Sequence, residues 1–564
     1  MPGLFGYIKK HPAHSDAISQ IIRMQEDLYP VAIEHEHQDE NLAGVRCYSF
    51  YEKMTHQDAT GTIHIWGEGC AYNLAEVAHR YRRVFQDLNQ ALLWGYQQKL
   101  LAEMLAALDG IFCAVIYDRQ QKKVTLLTDR YGMRGLFYYH KNSHFAWASE
   151  IKGFMPLEFF DRQLDKQALS CFMDLGYLVG DITYFTGVSL LPPATLLTYD
   201  IDTDRLHSQR YWSWADIKQC NLSFRDATDA LGEIVMRAVH RRIDMAESLV
   251  FPISGGLDSR MLLAATHRLY PGYKGPCFTF GTHDCADIVL AQKVTDLVGW
   301  PHEIHELTPD NWFERRIPTI WVTDGLLDMQ HMHGCEFVDD ITKQGRFVIN
   351  GYSGDAILGP SFLRTDTTNK RINKGVAEKY YGQYVHLADI ESSFYDIPHV
   401  EPNLLMNRVR RFTNMGTLAS SPWLEHKKPF LDNELIEFVF SINDEYRLEN
   451  KLYSTMLLNQ FPEFYKTIPW QKTGRTIYNN PEVAMPLSAS ENYTDYISWI
   501  RKPDIAVKID RILNSPTALY RNFIDEDWHE MYLVPHLKKN LNRSNKILRA
   551  VTIELFLQNF FQFP

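Results

Sequence analysis

The chain has 564 residues, 45% of them hydrophobic and 23% charged, a globular composition on a scale that needs two large cores rather than one. Its 58 basic and 69 acidic residues leave a net charge of −11 without long blocks, which excludes the basic face of a nucleic-acid-binding protein, and no run of eighteen apolar residues offers a membrane span. The start, Met-Pro-Gly-Leu-Phe-Gly, lacks a charged-then-apolar leader pattern, and eight scattered cysteines without C-x-x-C read as reduced thiols in the cytoplasm.

In chain order, residues 3–8 read as a short strand, and β-type runs follow at 44–51, 62–66, 111–117, 123–128 and 136–140, with helices at 74–87 and 97–107. Strands mixed with a few helices, and no internal repeat, predict an α+β sandwich over residues 1–212. From residue 213 the pattern changes. Helical spacing covers 225–243, an apolar run at 249–253 reads as a buried strand, and 260–268 reads as a helix. A strand at 276–281, a helix at 287–298 stopped by Gly299, and strands at 303–307 and 347–349 continue the alternation. Strand–helix–strand order predicts an α/β domain over 213–564 with a parallel sheet, whose ligands sit beyond the carboxyl ends of the strands. Residues 429–432 read as a structural turn into a helix at 434–441. Residues 546–561 read as a terminal packing helix rather than a membrane or partner surface.

The chemistry centres on Phe251-Pro-Ile-Ser-Gly-Gly-Leu-Asp-Ser259, between a strand and a helix. Gly255 and Gly256 let backbone N–H groups approach an anion, the helix N-terminus adds unpaired N–H groups and partial positive charge, and Ser254 and Ser259 can donate to phosphate oxygens. Asp258 would repel a bare phosphate; it makes sense as a ligand of Mg²⁺ that bridges to the phosphate. The loop is not the G-x-x-x-x-G-K-[ST] type. It resembles the S-G-G-x-D-S pyrophosphate loop of the N-type ATP pyrophosphatases, which cleave ATP between the α and β phosphates. The plain alternative is a glycine-rich turn capped by serines.

Other segments widen the resemblance. Residues 108–118 (LDGIFCAVIYD), 128–138 (TDRYGMRGLFY) and 148–152 (ASEIK) look like segments of the glutaminase domain of asparagine synthetases, and Leu190-Leu-Pro-Pro-Ala194 with Tyr211-Trp212 looks like that domain's close. Gly67, Glu68, Tyr72 and Asn73 partly echo its N-G-E-x-Y-N. The family's amidotransferases carry a cysteine directly after the initiator methionine, whose thiol attacks glutamine; position 2 here is Pro2, and no cysteine lies within forty residues of the start. The expectation is a glutaminase-like domain that has lost its chemistry. β-Lactam synthetases and lasso-peptide macrolactam cyclases resemble asparagine synthetase and lack the thiol in the same way.

In the second half, Gly351-Tyr-Ser-Gly-Asp355 resembles the family's G-x-G-x-D loop, which implies that Gly351 lies against the nucleotide and that Asp355 joins Asp258 on Mg²⁺. Phe280 would contact the adenine by the same resemblance, although its side chain is equally compatible with a core position. Tyr352 stands where asparagine synthetases carry glutamate, as in β-lactam synthetases. A phenol needs a partner carboxylate to accept an amine's proton; Glu378 and Glu391 are both candidates, and spacing does not choose between them. Residues 423–432 resemble the E-x-R-x-P-F-L-D segment, with Lys427 in place of arginine, a change that is not neutral at a bidentate site. Residues 468–474 resemble R-x-K-x-G-F, which implies that Lys472 stabilises charge on the α-phosphorus and pyrophosphate. His331, His333 and Cys335, and likewise His35 and His37, have alternating spacing, but chance pairs are expected among 22 histidines.

The resemblance covers nearly the whole chain. It implies an Ntn-hydrolase-like sandwich followed by an adenine nucleotide alpha hydrolase-like domain, with ATP and Mg²⁺ as cofactors. The expected activity is a ligase that adenylates a carboxylate and joins it to an amine. A peptide or small molecule carrying both groups is the expected partner, with lasso-peptide ring closure preferred and a precursor-processing protease alongside. A β-lactam-forming or ammonia-using ligase is the alternative within the family, and a non-catalytic nucleotide-binding scaffold the alternative outside it.

Overall fold

The computed structural model describes residues 3–9, 16–51, 54–390, 392–478 and 493–562; Pro2 and Glu391 lie outside the described residues. Eleven strands build the first part: β1 (Gly3–Ile8), β2 (Ala32–Gln38), β3 (Leu42–Tyr48), β4 (Ile63–Ala71), β5 (Gly110–Asp118), β6 (Lys123–Thr128), β7 (Phe137–Lys141), β8 (His144–Ala148), β9 (Val188–Leu190), β10 (Thr195–Asp200) and β11 (Arg205–Arg210). They form a six-stranded sheet, β2-β3-β1-β8-β7-β9, and a five-stranded sheet, β11-β10-β6-β5-β4, with antiparallel pairing throughout.

Strand β5 shows why the sheets stack. Cys113, Val115 and Tyr117 join Leu4 of β1 and Phe145 and Trp147 of β8 in a core between the sheets. Phe112, Ala114 and Ile116 point the other way, under helices that include Leu92 and Leu105. Both faces of the strand are buried, and the period-2 side-chain alternation sends each set to a different core. The predicted sandwich is present. The helix expected over 74–87 ends at Arg80, and a separate helix, Leu88–Gln97, starts where the Asp87 carboxylate accepts the Gln90 N–H. The helix Ala17–Leu28 and the polar edge strand β2 were not predicted; the His-Glu-His sequence of β2 hides the strand signal.

The second part holds β12 (Leu249–Pro252), β13 (Cys277–Gly281), β14 (His302–Glu306), β15 (Phe347–Ile349) and β16 (Glu425–Lys427). All neighbours pair parallel in the order β14-β13-β12-β15-β16. The chain steps outward from β12 to β14 and then returns to the other side of β12. The strand order therefore reverses between β12 and β15, and a crevice opens beyond their carboxyl ends. Residues 425–427, where no strand was predicted, are the fifth strand, and the expected turn follows at Pro429–Leu431. The C-terminal helix, Ser544–Gln562, is a packing helix as predicted: Ile547, Leu548, Val551, Phe556 and Phe560 are fully buried. No described helix is long and apolar enough to cross a membrane.

Candidate nucleotide site

The loop after β12 and the loop after β15 meet at the crevice. The N–H of Asp355 donates to Asp258 Oδ2 at 2.9 Å, and the Tyr453 hydroxyl donates to Asp258 Oδ1 at 2.9 Å. Glycines make this approach possible through space rather than backbone freedom. A Cβ on Gly354 would lie 2.4 Å from the Asp258 carboxyl carbon, and one on Gly351 would lie 3.1 Å from the Ser259 nitrogen. Neither takes the left-handed conformation; Ser353 does, at φ 66°, placing a non-glycine residue in a strained region at the loop's tightest point.

Burial, followed by the neighbouring charge of Asp355, raises the Asp258 carboxyl to about 7, against the lowering effect of its Tyr453 hydrogen bond. No cationic side chain is among the groups acting on it. A half-buried carboxylate beside a second acid, with no lysine or arginine among the described residues paired to it, fits a divalent cation. Asp355 is exposed to the crevice, and its carboxylate also accepts from the Ser361 hydroxyl.

The serines and glycines of the loop divide their roles. Ser254 and Ser259 hydroxyls lie 3.1 Å apart, and the Gly256 N–H donates to Ser254 Oγ at 3.2 Å. Ser254, Gly256 and Ser259 line the cavity. Gly255 does not fit its expected place at an anion: its N–H turns away and donates to Asp287 Oδ1 at 2.7 Å. It is glycine because a Cβ there would meet Leu290 at 2.8 Å and Gln471 at 2.9 Å.

Two cavities flank this loop. One, of about 450 Å³, lies between β13 and the β15 loop and is lined by Phe280, His333, Gly351, Tyr352 and Tyr493. The other, also about 450 Å³, is lined by Asp355, Asn450, Tyr453, Trp470 and Lys472. Gly256 and Asp258 wall both. Each volume is in the range of a small-ligand site, and together they give room on the two sides of one carboxylate.

Lys472 is exposed and sits 5.4 Å from the Trp470 ring. A tight turn presents it, closed by Trp470 N–H to Arg475 O at 2.8 Å and by Gly474 at φ +66°. The turn is pinned to the loop after β12 by Gln471 N–H on Gly255 O, at 3.1 Å. Arg260, fully buried, donates to the carbonyls of Gly255, Ile468 and Pro469 at 3.2, 3.1 and 2.8 Å. Sequence reading missed Arg260 as the latch between the two loops; its signal was an arginine on a helix that is otherwise apolar at that point.

Tyr352 has its hydroxyl turned to the backbone. Its hydroxyl donates to the Val409 carbonyl at 2.8 Å, and burial raises its pKa far above that of a free phenol. Glu378 is exposed beside Lys374 and lines a separate surface cavity with His386 and Asp389. Tyr352 is thus a wall of the crevice, with Lys428 4.9 Å from its ring centre and its hydroxyl engaged by a backbone carbonyl rather than by a carboxylate. Phe280 does line the cavity, 6.3 Å from the His333 ring. His333, set aside above as one of a chance pair, is fixed between the Tyr493 hydroxyl at 2.9 Å and the Tyr496 hydroxyl at 3.4 Å, and burial holds it neutral. Lys427 pairs with Glu247 and lies against the Phe347 ring, so it serves the fold.

Comparison with known proteins follows the same division. The asparagine synthase family model matches residues 230–458, and the glutamine amidotransferase domain model matches residues 51–212. Asparagine synthetase [glutamine-hydrolyzing] 3 of Bacillus subtilis is 24% identical over 61% of this chain and 63% of its own. Asparagine synthetase [glutamine-hydrolyzing] 2 of the same organism is 26% identical over 69% of this chain and 58% of its own. The chain thus spans less than two thirds of the length of these relatives. Among solved structures, glutamine phosphoribosylpyrophosphate amidotransferase from B. subtilis, complexed with ADP and GMP, matches with a TM-score of 0.26 at 12% identity, over 54% of this chain and 65% of that one, a likeness too slight to weigh.

Proposed function

This chain belongs to the asparagine synthetase superfamily, with a glutaminase-like domain ahead of a synthetase domain, and from that premise we propose that it is an ATP-dependent amide ligase that releases AMP and pyrophosphate. The observation that carries the proposal is the junction of Asp258 and Asp355 at the reversal of strand order, with Lys472 on the same cavity. Adenosine and the α-phosphate take the side lined by Phe280 and Gly351, and the β and γ phosphates take the side of Lys472.

Asp258 and Asp355 would hold Mg²⁺, which when bound neutralises phosphate charge. The Ser254 and Ser259 hydroxyls orient the phosphate, with Ser254 held by the Gly256 N–H. A substrate carboxylate oxygen attacks the α-phosphorus, the bond to the bridging oxygen breaks, and pyrophosphate leaves with its charge met by the Lys472 ammonium. An amine then attacks the acyl carbon, gives up its proton, and AMP leaves. With Tyr352 tied to Val409, that proton has no tyrosine to go to; the displaced phosphate oxygen of the adenylate is a competent acceptor.

The preferred substrate carries its own amine, as in lasso-peptide ring closure. Two observations support that reading. Among the described residues lining the cavity at Phe280 there is no lysine or arginine to fix a second carboxylate of an aspartate-like substrate. Cys47, paired in register with Gly3 at the start of β1, is buried and its thiol is pushed up to about 12, so it offers no replacement nucleophile for glutamine. The test is exchange of labelled pyrophosphate into ATP with candidate peptides and amino acids, followed by product mass. Exchange with a peptide and a product lighter by one water support internal closure. Joining of two molecules would move the reading to an intermolecular ligase, and no exchange with any carboxylate would move it to a scaffold.

A further inference from the structure

We propose that His399, Glu401 and Asp444 form a second metal site, built for a divalent ion of the zinc class rather than for Mg²⁺. Their ligand atoms all lie within 4.8 Å of one another, and all three side chains are buried. His399 and Glu401 are each 1% exposed and Asp444 is fully buried. Among the described residues, both ring nitrogens of His399 and the Oε2 of Glu401 lack a hydrogen-bond partner, and Glu401 Oε1 has only an ion-pair contact with Arg447. Buried polar atoms are nearly always partnered, so a missing ligand is the direct reading of this concentration. His399 Nδ1 is 3.7 Å from Asp444 Oδ2. That is too long for a hydrogen bond, but close to the separation of two atoms that share an ion at about 2.1 Å from each.

The neighbours fit an ion held as part of the scaffold. The Asn369 N–H donates to both Asp444 oxygens, at 3.1 and 2.9 Å, and orients that carboxylate. Arg447 Nη2 approaches Glu401 Oε1 at 2.8 Å, leaving the other oxygen for the ion. Two carboxylates against one guanidinium leave a negative balance for a cation to answer. An imidazole with two carboxylates selects zinc-like ions, since Mg²⁺ prefers oxygen alone. The ion would clamp the turn at 399–401 to Asp444–Asn450. That segment ends in Asn450, which lines the cavity of Lys472, and Arg447 also donates to the Ile357 carbonyl, at 3.3 Å, in the short helix that begins with Gly354 and Asp355.

The test is metal analysis of the full-length protein. It is incubated with Zn²⁺ and excess Mg²⁺ without nucleotide, then desalted, and its melting temperature is recorded with and without a chelator. The expected result is one zinc retained per chain and a chelator-sensitive melt, with zinc lost in His399→Ala and in Asp444→Asn. Wild-type protein that retains no zinc overturns the proposal, whether or not the variants fold. So does zinc retained in both variants, or a melt that responds to pH but not to the chelator, which would assign a proton shared by His399 and Asp444.

Discussion

Two regions of this molecule draw carboxylates partly or wholly out of water, and they treat them differently. Along the seam between the sandwich and the parallel-sheet half, buried acids meet cations: Arg134 with Glu425 at 2.8 Å, Arg242 with Asp109 at 2.9 Å and also with Asp432, and Lys152 with Asp324 at 3.0 Å. At the crevice, Asp258 meets a tyrosine hydroxyl, a backbone N–H and another acid. Paired acids hold two halves together and are strongly destabilising to break. An acid held at a crevice without a cation is poised for a ligand that arrives later.

The comparison breaks first at its extremes. Asp258→Asn is expected to lower pyrophosphate exchange about 10³-fold while leaving the denaturant midpoint unchanged or higher, since it removes a half-buried charge that no cation balances. Arg242→Leu should do the reverse, costing about 3–5 kcal/mol of stability by leaving Asp109 and Asp432 uncompensated, with exchange per folded molecule retained. An Asp258→Asn protein that unfolds early, or an inactive but stable Arg242→Leu, would erase the distinction. Lys472→Ala is expected to lower kcat about 10²-fold with little effect on melting, because the side chain is exposed on a turn held by other groups.

A finer test uses pH. Burial, then the nearby Arg134, pulls the Lys428 ammonium from its ordinary 10.5 down to about 7. Between pH 7 and roughly 10 the unfolded chain therefore holds one more proton at this site than the folded chain, so this group makes stability rise with pH across that window and adds no slope below it. Lys428→Met should remove that rise from the melting curves recorded between pH 6.5 and 9.5; a rise that persists assigns it elsewhere. The smallest effect is at Tyr352→Phe, which loses one hydrogen bond to Val409, about 1 kcal/mol of stability, and leaves both exchange and amide formation nearly intact. A collapse of amide formation with exchange retained would restore the tyrosine as a participant.

Much of this was legible in the sequence where a local pattern carried the meaning. The strand at 347–349, the helix stop at Gly299 and the pairing of Asp258 with Asp355 follow from apolar runs, glycine and motif order. What stayed hidden depends on distant contacts. Nothing near Tyr352 in sequence announces that Val409 takes its hydroxyl, and nothing near Gly255 announces Asp287. His333 looked like one of many histidines until Tyr493 and Tyr496 closed around it. Arg260 sits in a helix whose neighbours are apolar, and only the fold brings the carbonyls of 468 and 469 to it.

The most direct measurement needs no knowledge of the substrate. Calorimetric titration with an ATP analogue that has a methylene bridge between the α and β phosphates reads the crevice alone. Tight binding that requires Mg²⁺ in the wild-type protein, and weak binding indifferent to Mg²⁺ in Asp258→Asn and Asp355→Asn, is the predicted result. Wild-type binding that is the same with and without Mg²⁺, or variants that bind like the wild type, would contradict it.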